Sequence, residues 1–241
     1  MISEHTRKEI DILLWSIRLE FIRRYDKQRF WETESTAASY ASLIEDGIPL
    51  ENVAAHSWHV ADTVLLLGPH FTDIDISRCV QIAILHDKME IVIGDHNPVG
   101  RNGTGSRTHA FNSVKRTAKD NDEKRAILEY VGNLPEPARS IQRALLMEAC
   151  EGFTREAKFV KAIDKLQGFA YVFLKKNGHF TDQHLKFTLR FTEKAVHYFP
   201  ELKGHYCELK ERFLRQVARR RQTTVPRLLD AINDSQMSLP I

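Results

Sequence analysis

Between Ile84 and Pro98 the chain reads ILHDKMEIVIGDHNP, which sets His86 beside Asp87, then Glu90, then Asp95 just past a glycine. Apolar residues flank the cluster on both sides, Ile82 to Leu85 before it and Ile91 to Ile93 after it. The pattern is that of a buried helix interrupted by acids and an imidazole. Each such group buried without a partner costs roughly 1–3 kcal/mol, and more if it is charged. A bound divalent cation would remove that cost.

The rest of the chain is patterned for helices. Ile10, Leu13, Leu14, Ile17 and Phe21 recur at helical spacing and predict an amphipathic helix from Thr6 to Tyr25. Further helices are predicted over Glu51 to Leu67, Cys79 to Ile93, Ala110 to Val131, Glu136 to Cys150, Thr154 to Lys175, Asp182 to Tyr198 and Glu201 to Arg221. Asp75 or Ser77 would cap the helix that carries His86, and Gly94 would end it. The stretch from Arg29 to Ser42 has no clear period, and Asn97 to Thr108, NPVGRNGTGSRT, reads as a mobile loop or lid because it lacks the pattern and the preceding strand of a phosphate cradle. With no alternating strand pattern and no repeat, the expected fold is all-α.

At 241 residues the chain is long enough for a single domain over 1–241, with a core at about 50–175 and the terminal helices packed on it. No apolar run approaches the roughly 18–20 residues of a membrane span, and the first residues do not read as a secretory signal. Cys79, Cys150 and Cys207 are odd in number and lack C-x-x-C spacing, which argues against a disulfide framework or a cysteine zinc site and for a reducing cytoplasm. A net charge of only +3 makes a nucleic-acid footprint weak. The dense basic run from Arg212 to Arg221 shares its helix with Glu208 and Glu211 and reads as a solvated face.

Two other segments can reach the HD cluster. His56 lies one turn before Val60 on the stripe Val53, Val60, Val64 and Leu67, so it points inward, with His59 on that face or at its edge. A lone inward histidine is ordinarily a satisfied core residue. Asp164 sits beside the stripe Phe159, Ile163, Leu166, Ala170 and Phe173, where its ordinary role is a salt bridge to Lys161 or Lys165. Together, His56, His86, Asp87 and Asp164 would offer two imidazoles and two carboxylates to one cation. That mixture suits Mn, Fe, Co, Ni or Zn better than Ca or Mg.

The order H…HD…D, carried by ENVAAHSWHVA (Glu51 to Ala61), ILHDKMEIVIGDHNP and EAKFVKAIDKLQ (Glu156 to Gln167), resembles the HD-domain metal-dependent phosphohydrolases. Within that superfamily it is similar to the branch containing the bacterial and eukaryotic 5′-deoxynucleotidases, over about Leu50 to Tyr171. The resemblance implies a helical bundle in which His56, His86, Asp87 and Asp164 bind one divalent metal. Glu90 corresponds to the catalytic acid beside the metal's water and Asp95 to a second acid near the leaving oxygen. The implied reaction is hydrolysis of a (deoxy)nucleoside 5′-monophosphate. Alternatives are another small phosphate ester or a nucleoside triphosphate, or a non-catalytic module that binds nucleic acid; Glu90 and Asp95 argue against the last.

An arginine and an aromatic residue contact phosphate in the family, and in this sequence the role falls to Arg29 with Trp31, with Arg18 and Arg24 as rivals. Two-metal relatives place extra histidines where His96 and His109 fall, but both lie in or beside the irregular loop, which favours one metal. The family is commonly homodimeric, and an exposed apolar helix face would serve for that. Ala55 departs from the acidic residue usual before the first histidine, and the loop after Pro98 is longer than expected.

Overall fold

The computed structural model describes residues 3–25, 50–100 and 103–234. Among these the architecture is helical, and the only extended pairing is an isolated bridge between Arg23 and Asn52. The first helix, α1, spans Glu4–Ser16 and is followed by a 3-10 turn over Ile17–Phe21. Helix α2, Val53–Leu67, starts behind Asn52, whose side chain accepts the Ala55 amide at 2.7 Å. Helix α3, Ile76–Leu85, starts behind Asp75, which accepts the Arg78 amide at 3.0 Å. The short α4 covers Glu90–Ile93, α5 covers Ser113–Gly132 and α6 covers Ala138–Glu151. Helix α7, Arg155–Lys176, is capped by Thr154, and four more follow: α8 (Asp182–Thr192), α9 (Lys194–Tyr198), α10 (Lys203–Arg220) and α11 (Val225–Asp234). Side-chain caps of this kind satisfy amides that the first turn leaves open.

Helices α2, α3 and α7 pack on one another at the centre. Val60, Val64, Ile82, Ile163 and Phe169 fill the space between them, and Phe199 and Phe213 close it from the C-terminal side. Each fully buried aromatic side chain stabilises this block by roughly 1.5–3 kcal/mol, so α7 is fixed while its remaining face carries polar groups. A second cluster, Met89, Ile127, Leu134 and Leu146, joins α5 and α6 to the turn after α3.

Four elements depart from the sequence expectation. The helix drawn from Cys79 to Ile93 stops at Leu85, and residues 86–89 form turns before α4. The His86 ring takes the Ala83 carbonyl at 2.8 Å, the acceptor that the Asp87 amide would use in a continuing helix. The Lys88 amide bonds the Leu85 carbonyl and the Glu90 amide bonds the Asp87 carbonyl, each at 3.0 Å, so the chain tightens to three-residue spacing. His86 and Glu90 therefore do not share one face of a continuous helix.

The N-terminal helix ends at Ser16, and its expected buried stripe faces outward: Ile10, Leu13, Leu14, Ile17 and Phe21 are all at least half exposed. It docks instead through Ile12 and Trp15, whose indole stacks on Tyr130 with centroids 4.9 Å apart. The helix expected from Asp182 to Tyr198 divides at Glu193, where the Thr192 hydroxyl has turned back to bond the Thr188 carbonyl at 2.8 Å. The loop expected to be mobile is tied down: Thr108 Oγ1 donates to the Pro98 carbonyl at 2.6 Å, and Val99 and Ala110 bury themselves with Phe187 of α8. Gly105 belongs to this packing, since a Cβ there would meet the Phe187 ring at 2.6 Å.

Candidate metal centre and catalytic cavity

His56 projects from α2, His86 and Asp87 from the turn after α3, and Asp164 from α7. His56 is completely buried; its Nε2 lies 3.1 Å from Asp164 Oδ1, 3.3 Å from His86 Nε2 and 3.5 Å from Asp87 Oδ2. Asp87 Oδ2 is also 3.2 Å from His86 Nε2. Among the described residues, His56, His86 and Asp164 are the one trio of such donors whose atoms all lie within 4.8 Å of one another. Asp87 adds a carboxylate within reach of both rings. The structure thus brings together the four residues singled out in the sequence, and it also forms the alternative contact, with Lys165 Nζ 2.5 Å from Asp164 Oδ2.

The chemistry of this donor set fits a cation. His86 Nδ1 faces the Ala83 carbonyl at 2.8 Å, and His56 Nδ1 faces Gln167 Oε1 at 2.7 Å. A carbonyl oxygen only accepts, so both rings carry hydrogen on Nδ1 and turn Nε2 toward the carboxylates. Burial alone would push the His86 pKa down, yet Asp87 and Asp164 raise it. Asp87 and Asp164 resist the same burial and are held well below the usual carboxylate range, Asp87 by both imidazoles and Asp164 by Lys165 and His56. His56 is lowered, by burial first and by Arg24. With hydrogen on Nδ1, each ring turns a lone pair toward carboxylate oxygens that also only accept, and a cation between them would satisfy both.

Glu90 is buried, and its Oε2 makes no hydrogen bond among the described residues. Burial, then the charges of Asp87 and Asp95, push its carboxyl well above the usual range. Asp95 is raised by burial as well, but Arg24 and the Tyr25 amide, which donates to Oδ2 at 3.2 Å, hold it back. Gly94 stands between the two acids at φ 72°, ψ 163°, a backbone region that essentially only glycine adopts. His86, Asp87, Glu90, Asp95 and Asp164 all line one cavity of about 220 Å³.

Arg24, Tyr25, His96, His109, Lys119 and Lys165 also border this cavity. Arg29 and Trp31 lie outside the described residues. Of their rivals, Arg18 is exposed, whereas Arg24 is brought to the cavity by the pairing of Ile22 and Arg24 with Glu51 and Val53. His59 faces outward beside Trp58. Sequence reasoning gave no role to Glu51, Gln167 or Lys119. A signal for Gln167 was present, since it follows Asp164 by three residues on one helix and so shares its face. Lys119, joined to Glu123 at 3.3 Å, carried no such signal.

A model of the HD domain matches residues 41–203. Among curated proteins, the 5′-deoxynucleotidase hdd1 of Schizosaccharomyces pombe is 28% identical over 127 residues, which is 51% of this chain and 57% of that protein. The 5′-deoxynucleotidase HDDC2 of Xenopus laevis is 28% identical over 130 residues, 52% of this chain and 58% of that protein. The chain thus spans little more than half the length of these relatives. Two solved structures share its fold. One is the predicted metal-dependent phosphohydrolase of Magnetospirillum magnetotacticum MS-1, with TM-score 0.59 and 21% identity over 90% of this chain and 97% of that one. The other is an HD-domain phosphohydrolase of Listeria innocua, with TM-score 0.63 and 18% identity over 94% and 99%.

Proposed function

Since the chain belongs to the HD-domain family, we propose that it is a metal-dependent phosphohydrolase that converts (deoxy)nucleoside 5′-monophosphates to nucleoside and phosphate. The observation that carries this reading is the buried Glu90 Oε2, unbonded among the described residues, in the same cavity as His86, Asp87 and Asp164, an arrangement a purely structural metal site would not need. His56, His86, Asp87 and Asp164 would hold one divalent ion of Mn, Fe, Co, Ni or Zn. When bound, such an ion lowers the pKa of water and screens the phosphoryl oxygens.

Glu90 takes and orients the proton of the attacking water, and a carboxyl held above its usual range is a better base for that step. Asp95, held less strongly by its surroundings, stands to return a proton to the departing 5′-oxygen. Arg24, the rival to Arg29 that lies among the described residues and borders the cavity, supplies the fixed positive charge that receives the phosphate. Its Nη1 is engaged by Glu51 at 2.7 Å, which orients the guanidinium, and among the described residues no other side-chain hydrogen bond holds it.

Deoxynucleotides are preferred in this proposal. The support is the similarity to relatives that are named 5′-deoxynucleotidases, together with the cost of burying a ribose 2′-hydroxyl without a partner, roughly 1–3 kcal/mol. That cost corresponds to about 5- to 150-fold discrimination. Comparing dAMP with AMP and dCMP with CMP, under cobalt or manganese, should show each deoxy substrate hydrolysed at least several-fold faster. Equal rates within each pair would remove the deoxy preference, and no turnover of any would remove the monophosphate reading.

A second reading is hydrolysis of a nucleoside triphosphate, and it draws on Lys119, Lys161 and Lys165 along the same cavity. Each already has an oxygen partner, Glu123 at 3.3 Å, the Cys150 carbonyl at 3.0 Å and Asp164 at 2.5 Å, so the monophosphate reading is preferred. Release of tripolyphosphate from a triphosphate would reverse that order. Among the described residues no helix is long and apolar enough to cross a membrane. The three cysteines are free, which supports placing the reaction in the cytoplasm.

A further inference from the structure

Behind His56 a line of polar side chains runs from the donor cluster to the cavity's arginine. Gln167 Oε1 is 2.7 Å from His56 Nδ1, and the same amide donates through Nε2 to Glu51 Oε1 at 2.7 Å. Arg24 Nη1 donates to the other Glu51 oxygen at 2.7 Å. Glu51 is itself pinned: its amide donates to the Tyr171 hydroxyl at 2.9 Å and its carbonyl accepts the Arg24 amide at 2.9 Å. A carboxylate only accepts, so the Gln167 NH₂ must face Glu51 and its oxygen must face His56. The orientation of one amide therefore fixes which nitrogen of His56 carries hydrogen.

The two groups that Gln167 joins lie inside the fold, while Gln167 and Arg24 are themselves partly buried. Glu51 is 6% exposed and His56 fully buried, so water cannot replace a lost partner cheaply. Gln167 follows Asp164 by three residues on α7, so one helix face carries both a donor and the support of a second donor on α2.

We propose that Gln167 is a positioning residue that holds His56 with Nε2 toward the donor cluster and, through Glu51, holds Arg24 at the cavity wall. This rests on the metal-centre reading above. Gln167 does not line the cavity and reaches it through His56 and Glu51, so its loss should alter metal and phosphate affinity and leave the helical fold in place. Removing such an outer partner typically weakens a metal site about 10–100-fold.

Titrating Co(II) into the purified full chain, read by visible absorption, measures the site without any turnover. Gln167→Met, similar in length but unable to accept or donate, should bind Co(II) about 10–100-fold more weakly, with unchanged far-ultraviolet circular dichroism. Gln167→Glu restores an acceptor to His56 but sets a second carboxylate against Glu51. It should regain Co(II) affinity to within about threefold of wild type, while inorganic phosphate binds its Co(II)-loaded form several-fold more weakly. Long-range ¹H–¹⁵N spectra of the wild-type chain should place the His56 hydrogen on Nδ1. A folded Gln167→Met with wild-type Co(II) affinity overturns the proposal, as does Gln167→Glu with the weak Co(II) binding expected of Gln167→Met, or hydrogen on Nε2. Unchanged phosphate affinity in Gln167→Glu overturns the link to Arg24. A wild-type chain that takes up no Co(II) overturns the metal-centre reading itself, which keeps the two failures apart.

Discussion

His86, with its partner His56 behind it, shares one cavity with the pair His96 and His109, yet the groups that face the two pairs differ. The first pair has ring centroids 5.2 Å apart, and two carboxylates approach its facing nitrogens. The second has centroids 6.2 Å apart in an edge-on arrangement, and His96 Nδ1 faces the Gly94 carbonyl at 3.1 Å. Burial, with the charges of Lys119 and Lys165, pushes the His109 pKa down to about 3. No carboxylate is paired with these two rings among the described residues, and the charges that bear on His109 are cationic, so a second cation there would lack the anionic partners that Asp87 and Asp164 give the first pair. Proximity of imidazoles is therefore a poor guide to a metal site; the first pair is distinguished by the carboxylates that face it.

The largest effect should come from removing a carboxylate from the first pair. Asp87→Asn should lose the metal, while His109→Gln should keep one ion per chain by elemental analysis of protein purified without chelator. At a metal concentration a hundred times the dissociation constant, the lost stabilisation is about 2.7 kcal/mol. For a chain of this size that lowers the melting temperature by about 5–10 °C. Two ions in the wild type falling to one in His109→Gln would break the comparison.

Next in size is the loss of an acid that borders the first pair without joining it. Glu90→Gln should retain metal and melting temperature yet lower turnover by roughly 10²–10⁴-fold. Metal loss equal to that of Asp87→Asn would make Glu90 a ligand. The smallest effect tests the reach of the first pair's network into the substrate side. Arg24→Lys keeps the charge but not the planar fork, and should raise the Michaelis constant about tenfold for every base alike, with turnover number little changed. An unchanged Michaelis constant would detach Arg24 from the phosphate.

Much of this site was legible in the sequence because its signals are local. His56 shares a helical stripe with Val60 and Val64, and that stripe is buried as its period implies. The same arithmetic failed for α1, where Leu13, Leu14 and Phe21 stay exposed. Periodicity identifies an apolar face but not the surface that receives it, and Trp15 found Tyr130 on a different side. The end of α3 at Leu85 was hidden because it depends on a side chain competing for a backbone acceptor. Arg24 and Glu51 are 27 positions apart and meet through an isolated bridge, a long-range pairing that no spacing rule reveals. The loop after Pro98 read as mobile because it fits no phosphate-cradle pattern, whereas Gly105 lets Phe187 come close.

The backbone at Gly94 has a consequence for how the two acids are held relative to each other. A Cβ added there meets nothing within 4 Å, so no neighbour forbids a side chain; only the handedness of an L-residue does. Open space of that kind lets a substituted chain relax by rotating rather than by unfolding, and the rotation would swing Asp95 away from Glu90 while the core stays intact. At Gly94 the direction of the chain from Glu90 to Asp95 is thus set by backbone handedness and not by packing around the glycine. On the proposed roles of Glu90 and Asp95, a substitution at this position should lower turnover while the helical fold and metal content stay as in the wild type.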